Sequence, residues 1–164
     1  MKAIAVLCVV VGVSSGFAYA GNEDPDGNFA ECTQTSCRIY VQVVDSGPNC
    51  ALAVWPRELR VWGGTVELVW VIDQTGSAKQ WAFRTKAVGK PGGHGDFDEG
   101  EPSSQGKLYK MRDRNTADSK DQRLGYSIQV HAVAPDNGQC RIDPTIVNKG
   151  TRLHVPPKPS NPKR

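Results

Sequence analysis

Past its first twenty residues this sequence has no apolar run approaching the roughly 18 residues of a membrane helix, so that part of the chain is expected to hold no membrane span. It has one methionine there, Met111, and three histidines, His94, His131 and His154, whose spacing pairs none of them as metal ligands. The short catalytic signatures are missing from the same stretch. There is no Gly-x-Ser-x-Gly elbow, no His-Glu-x-x-His, no phosphate-cradling loop ending in Gly-Lys-Ser/Thr, and no Gly-x-Gly-x-x-Gly after a strand. With no nucleophile, base or phosphate cradle in a recognisable setting, the chain is read as a non-enzyme. Clustered positive charge is missing too: residues 21–148 hold 14 Lys and Arg against 17 Asp and Glu, which argues against nucleic acid as a partner. A sustained helical period is the last absence, and it points away from any α-rich fold.

What is present begins with an export signal. Lys2 precedes an apolar run from Ala3 to Val13, and Ala18-Tyr19-Ala20 supplies a small-x-small cleavage site, so residues 1–20 read as a signal peptide. A periplasmic or secreted protein is expected. The remaining chain contains four cysteines, Cys32, Cys37, Cys50 and Cys140, and in an oxidising compartment an even number implies two disulfides with three possible connectivities. Cys32–Cys37 with Cys50–Cys140 is the pairing favoured, because the second bond closes a loop of about 90 residues and restricts the unfolded chain most. Residues 149–164 carry five bases, four prolines and no acid, and read as a basic disordered tail behind a single domain at 21–148.

Within that domain short β-branched and aromatic runs alternate with turn residues. Strands are expected at Arg38–Val44, Glu58–Trp62, Thr65–Asp73, Gln80–Thr85, Lys107–Met111, Tyr126–Val133 and Gln139–Val147. Thr65–Asp73 is the clearest, with Val66, Leu68, Trp70 and Ile72 on one face. Asn137-Gly138 tolerates positive φ and marks a hairpin between the last two strands. Residues 21–31 read as a polar lead-in and 87–106 as a long loop with six glycines and four acids. Residues 112–123 read as a polar loop or a single helical turn. The expected fold is all-β: an antiparallel two-sheet sandwich of about seven strands, immunoglobulin-like or cupredoxin-like, braced by disulfides.

The cupredoxin alternative rests on two stretches. Pro56-Arg57-Glu58-Leu59-Arg60-Val61-Trp62-Gly63-Gly64-Thr65-Val66, followed by Leu68 and Trp70, resembles the family's alternating strand, glycine turn and apolar-x-Trp strand. Gly125-Tyr126-Ser127-Ile128 is similar to the start of its final ligand-bearing strand. The resemblance implies the fold but none of the copper ligands. A blue-copper centre takes two histidines, a cysteine thiolate and usually a methionine. No cysteine closely precedes His131, no methionine follows it, and Cys140 is assigned to a disulfide. Copper is not expected, nor any other cofactor.

Two segments could bear on a metal. His94-Gly95-Asp96-Phe97-Asp98-Glu99-Gly100-Glu101 collects hard oxygen donors beside a histidine, with His94, Asp96, Asp98 and, from the last hairpin, His131 as the candidate ligands. It departs from the calcium-loop pattern, since Gly100 comes one position early. Asn22-x-Asp24-x-Asp26-Gly27 matches the first half of such a loop but lacks its closing glutamate. The function expected is therefore a non-catalytic, exported binding or interaction module whose partner is a protein or cell-envelope ligand. A periplasmic binder of copper, zinc or calcium through residues 94–101 is the alternative. Ligand and oligomeric state are open at this point.

Overall fold

Alternation in the middle of the chain sets up the architecture. The computed structural model describes residues 29–46, 49–75, 77, 79–91, 95–116, 121–134 and 137–150. Among these, twelve strands form and no α-helix. They are β1 (Phe29–Cys32), β2 (Ser36–Ser46), β3 (Asn49–Trp55), β4 (Glu58–Val61), β5 (Val66–Asp73) and β6 (Trp81–Ala82), then β7 (Glu101–Pro102), β8 (Leu108–Asp113), β9 (Gln122–Gly125), β10 (Ile128–Ala132), β11 (Gln139–Ile142) and β12 (Thr145–Asn148).

One layer is a continuous sheet in the order β3-β2-β5-β8-β7. Its inner face follows the period of two: Ile39, Val41, Leu68, Trp70, Tyr109 and Met111 are all buried. The facing layer consists of two ladders, β1-β4-β12-β9 and β11-β10-β6. Their buried residues, among them Leu59, Ile128, Val130 and Ile146, join the first set in one core. Trp70 sits between the layers. Its ring meets Tyr109 and Tyr126 edge-on at 6.2 and 5.8 Å, and its indole N–H donates to the Tyr126 hydroxyl at 3.2 Å. Burying large apolar side chains such as these stabilises by about 2–3 kcal/mol each. Cys32–Cys37 ties the end of β1 to the start of β2, with Cα atoms 5.9 Å apart. Cys50–Cys140, with Cα atoms 5.8 Å apart, joins β3 of the five-stranded sheet to β11 of the facing layer.

This is all-β and disulfide-linked, but it is not the antiparallel, two-sheet, seven-strand sandwich expected. The pairs β1/β4, β4/β12 and β2/β5 are parallel. β2 and β5 run alike because the chain between them passes through β3 and then through β4 in the other layer, an excursion that a hydrophobic pattern does not record. The extra ladder comes from one bent hairpin. The run predicted as a single strand at 139–147 changes partners midway, β11 pairing with β10 and β12 with β9, while β9 begins inside the supposed polar loop at 112–123 and ends before the run predicted at 126–133. Pro144 has no N–H to give the ladder, and its carbonyl accepts the Tyr126 N–H at 3.1 Å at the bend.

The remaining differences are local. β1 falls in the supposed lead-in, where Ala30 and Cys32 are buried. β3 occupies Asn49–Trp55, between the strands expected at 38–44 and 58–62, where none was expected. The 87–106 loop is held to both layers: Gly89 N donates to Ser127 O at 2.9 Å, Asp98 N to Arg112 O at 3.0 Å, and β7 pairs with β8. The signal peptide, the segment 22–27, His94, His154 and the tail from 151 lie outside the described residues.

Candidate functional site

The outer face of the five-stranded sheet carries the most distinctive surface among the described residues. Residues that alternate with the core on β3, β2, β5 and β8 point away from it, and the register decides which of them lie side by side. Trp55 is opposite Tyr40, Tyr40 opposite Val71, and Val71 opposite Leu108. Four apolar side chains from four strands thus form one row across the sheet, each half-buried. The Tyr40 and Trp55 rings are adjacent, 6.3 Å between centroids and tilted 41°. Beyond the row, Val44 is 47 % exposed and opposite Ala51, also exposed. The row itself bears no charge. Arg38 and Lys110 flank it on one side, and Gln42 and Asp73 on the other. Lys110 is 3.4 Å from Glu67. The Asp73 carboxylate accepts the Thr75 N–H at 2.9 Å, and hydrogen bonding from Thr75 holds its pKa below the ordinary value.

The sequence-predicted ligands fall elsewhere and diverge. Asp96 is buried and accepts a hydrogen bond from the Thr116 hydroxyl. Asp98, one residue beyond the buried Phe97, turns outward to Arg114 and to Arg112, the latter at 3.8 Å. His131 belongs to β10, paired with Gln139 and Ala82 in another ladder. Partial burial and the charge of Arg84 lower its pKa. Among the described residues no three His, Cys, Asp or Glu side chains are grouped to hold a metal. Of the remaining soft donors, Cys140 is bonded to Cys50 and Met111 is buried in the core.

A second surface surrounds the Pro144 bend, where two shallow depressions of about 520 and 470 Å³ share Asp143, Pro144 and Thr145. Arg57, Arg123 and Ile142 line one, Lys90, Tyr126 and Arg141 the other. Most of these charges are already paired. Glu58 receives Arg60 at 2.9 Å and Arg123 at 2.6 Å, and Asp143 receives Arg141 at 3.3 Å. Burial pushes the Glu58 pKa up, but the two arginines more than reverse this and hold it below the ordinary glutamate value.

The strongest polar cluster is internal. Asn115 is fully buried at φ 46°. Its amide donates to Gly63 O at 2.7 Å and Gly150 O at 3.1 Å, and its carbonyl accepts the Gly150 N–H at 3.0 Å. Asp113 accepts from the Asn115 N–H at 2.8 Å and from the Asn148 amide at 3.1 Å. This joins the ends of β8, β4 and β12 inside the protein, so it organises the fold rather than a ligand.

No family model and no curated protein matches the sequence. Solved structures of rusticyanin are similar at a low level. Reduced rusticyanin aligns over 77 % of this chain and 88 % of its own at 14 % identity and a TM-score of 0.31. A Met-to-Leu variant aligns over 77 % and 85 % at 13 % identity and a TM-score of 0.29.

Sequence reading missed the row. Ala51, Ala53 and Trp55 do alternate with Leu52 and Val54, which was a usable strand signal, but only the pairing register sets Trp55 beside Tyr40 and Val71.

Proposed function

We propose that this chain is an exported, non-catalytic binding module that engages a cell-envelope ligand through the outer face of its five-stranded sheet. The observation that carries this is the in-register row of Trp55, Tyr40, Val71 and Leu108, an uncharged line across four strands with Arg38 and Lys110 on one side and Gln42 and Asp73 on the other. Apolar residues scattered singly over a surface need no explanation, whereas a contiguous row marks an interaction site. Export is supported by the leader at residues 1–20, by two disulfides, and by the lack, among described residues, of a helix able to cross a membrane. The domain is taken as 21–148 with the basic segment 149–164 attached.

The test is co-sedimentation of the purified protein with envelope material from the cells that make it. The wild type is retained, and Leu108→Lys, a charge set into a half-buried, outward-facing strand position, reduces retention at least tenfold without changing the melting temperature by more than a few degrees. Equal retention of the two proteins overturns the reading.

A further inference from the structure

The row has features that identify the chemistry of its ligand, and this step rests on the binding role proposed for that face. A stable protein partner covers about 800 Å² of each surface, more than four half-buried side chains in a line present. A charged polymer would be met by charge along the line of contact, yet the row is neutral and its charges stand to either side. The line crosses three strand spacings, roughly 14 Å, the length of a short oligosaccharide.

A pyranose ring suits this arrangement. Its two faces present C–H bonds, which are weakly positive and pack against the negative face of an aromatic ring. Its hydroxyls project around the edge, toward the polar residues that flank the row: Arg38 and Lys110, the latter also paired with Glu67, on one side, and Gln42 and Asp73 on the other. The 41° between the Tyr40 and Trp55 rings matches a chain whose successive sugar faces turn relative to one another. We infer that the outer face of the five-stranded sheet is a binding platform for an uncharged, β-linked glycan chain, stacked on Trp55 and Tyr40 and extending over Val71 to Leu108.

The experiment uses the mature chain with insoluble cellulose, chitin and peptidoglycan sacculi in co-sedimentation, and with cellohexaose and N-acetylchitohexaose in titration calorimetry. Retention on at least one polymer is expected, and it should survive 1 M salt because screening at that concentration, with a Debye length of about 3 Å, removes only charge-driven binding. Trp55→Ala weakens it tenfold or more, Tyr40→Ala several-fold, and Arg57→Ala, beside the Pro144 bend, leaves it unchanged. Leu108→Lys serves as the row variant if Trp55→Ala does not fold. Retention on none of the polymers, or retention abolished by salt, overturns the glycan assignment. Loss of envelope binding in Leu108→Lys with all three polymers unbound also overturns it, while leaving the face as a binding site. Polymer binding that no row variant alters overturns both.

Discussion

The two layers of this protein meet the same core in different ways. The five-stranded sheet is unbroken, and its inward positions from Cys37 to Val43 on β2, Val66 to Ile72 on β5 and Tyr109 to Asp113 on β8 are filled by side chains of the common core and by Asp113. The facing layer is divided at Tyr126 and Pro144 into two ladders, and it is held by discrete links: Cys50–Cys140, the Asn115 cluster and the Trp70–Tyr126 hydrogen bond. A continuous ladder spreads its stability over many small contacts, whereas a divided layer concentrates it in a few strong ones. The unbroken sheet is accordingly the one whose outer face sets residues of four adjacent strands in one continuous row.

The contrast can be broken most severely at the covalent link. Replacing Cys50 and Cys140 together by alanine should reduce stability by about 4–5 kcal/mol, against about 2 kcal/mol for Cys32 and Cys37 together, because the loops closed differ so much in length. Urea unfolding measures both, and equal losses would show that the layers do not depend on the long-range bond. Next in size is Asn115→Ala, which strips the partners from the Gly150 N–H and the carbonyls of Gly63 and Gly150. A loss of about 3 kcal/mol is expected, from several buried groups left unsatisfied at roughly 1–3 kcal/mol each. Tyr126→Phe leaves the Trp70 indole N–H without its acceptor and should cost about 1–2 kcal/mol. Hydrogen exchange would place the loosening in β10 and β11 rather than β5.

The smallest effect is that of pH. His131 has a folded pKa below its ordinary 6.5, so the unfolded chain takes up the proton first. Stability is therefore full above that pH and declines as pH falls from it toward the folded value, and His131→Gln should flatten this part of the profile. Glu58 is likewise depressed below 4.5, so its contribution persists above that pH and is lost on further acidification. Thermal melts between pH 7 and 3 should show the His131 step first, with the Glu58 step removed in Glu58→Gln.

How much of this was legible in the sequence varies with the kind of information required. The inward faces of β5 and of the run that leads into β10 could be read residue by residue, since Val66, Leu68, Trp70 and Ile72, and Tyr126, Ile128, Val130 and Ala132, are all buried. Alternation is local and survives any pairing. Strand order is not local. Nothing in the β2 or β5 segments states that they run parallel, and the partner exchange at Pro144 follows from where two distant segments meet. The outer row was hidden for the same reason, because Trp55, Tyr40, Val71 and Leu108 lie far apart in the chain and are joined only by register. The segment at 87–106 was legible as a loop but its anchoring was not, because glycines suggest freedom, whereas Gly100 lies so close to Tyr109 that an added Cβ would come within 2.3 Å of the ring. There the missing side chain permits packing.

The central claim, that the unbroken sheet binds through its outer row, is tested most directly by comparing Leu108→Lys with Arg57→Ala for retention on envelope material under conditions where both are folded. The row variant should lose at least tenfold while the variant at the Pro144 bend binds like the wild type. The reverse pattern would move the site to the divided layer and contradict the account.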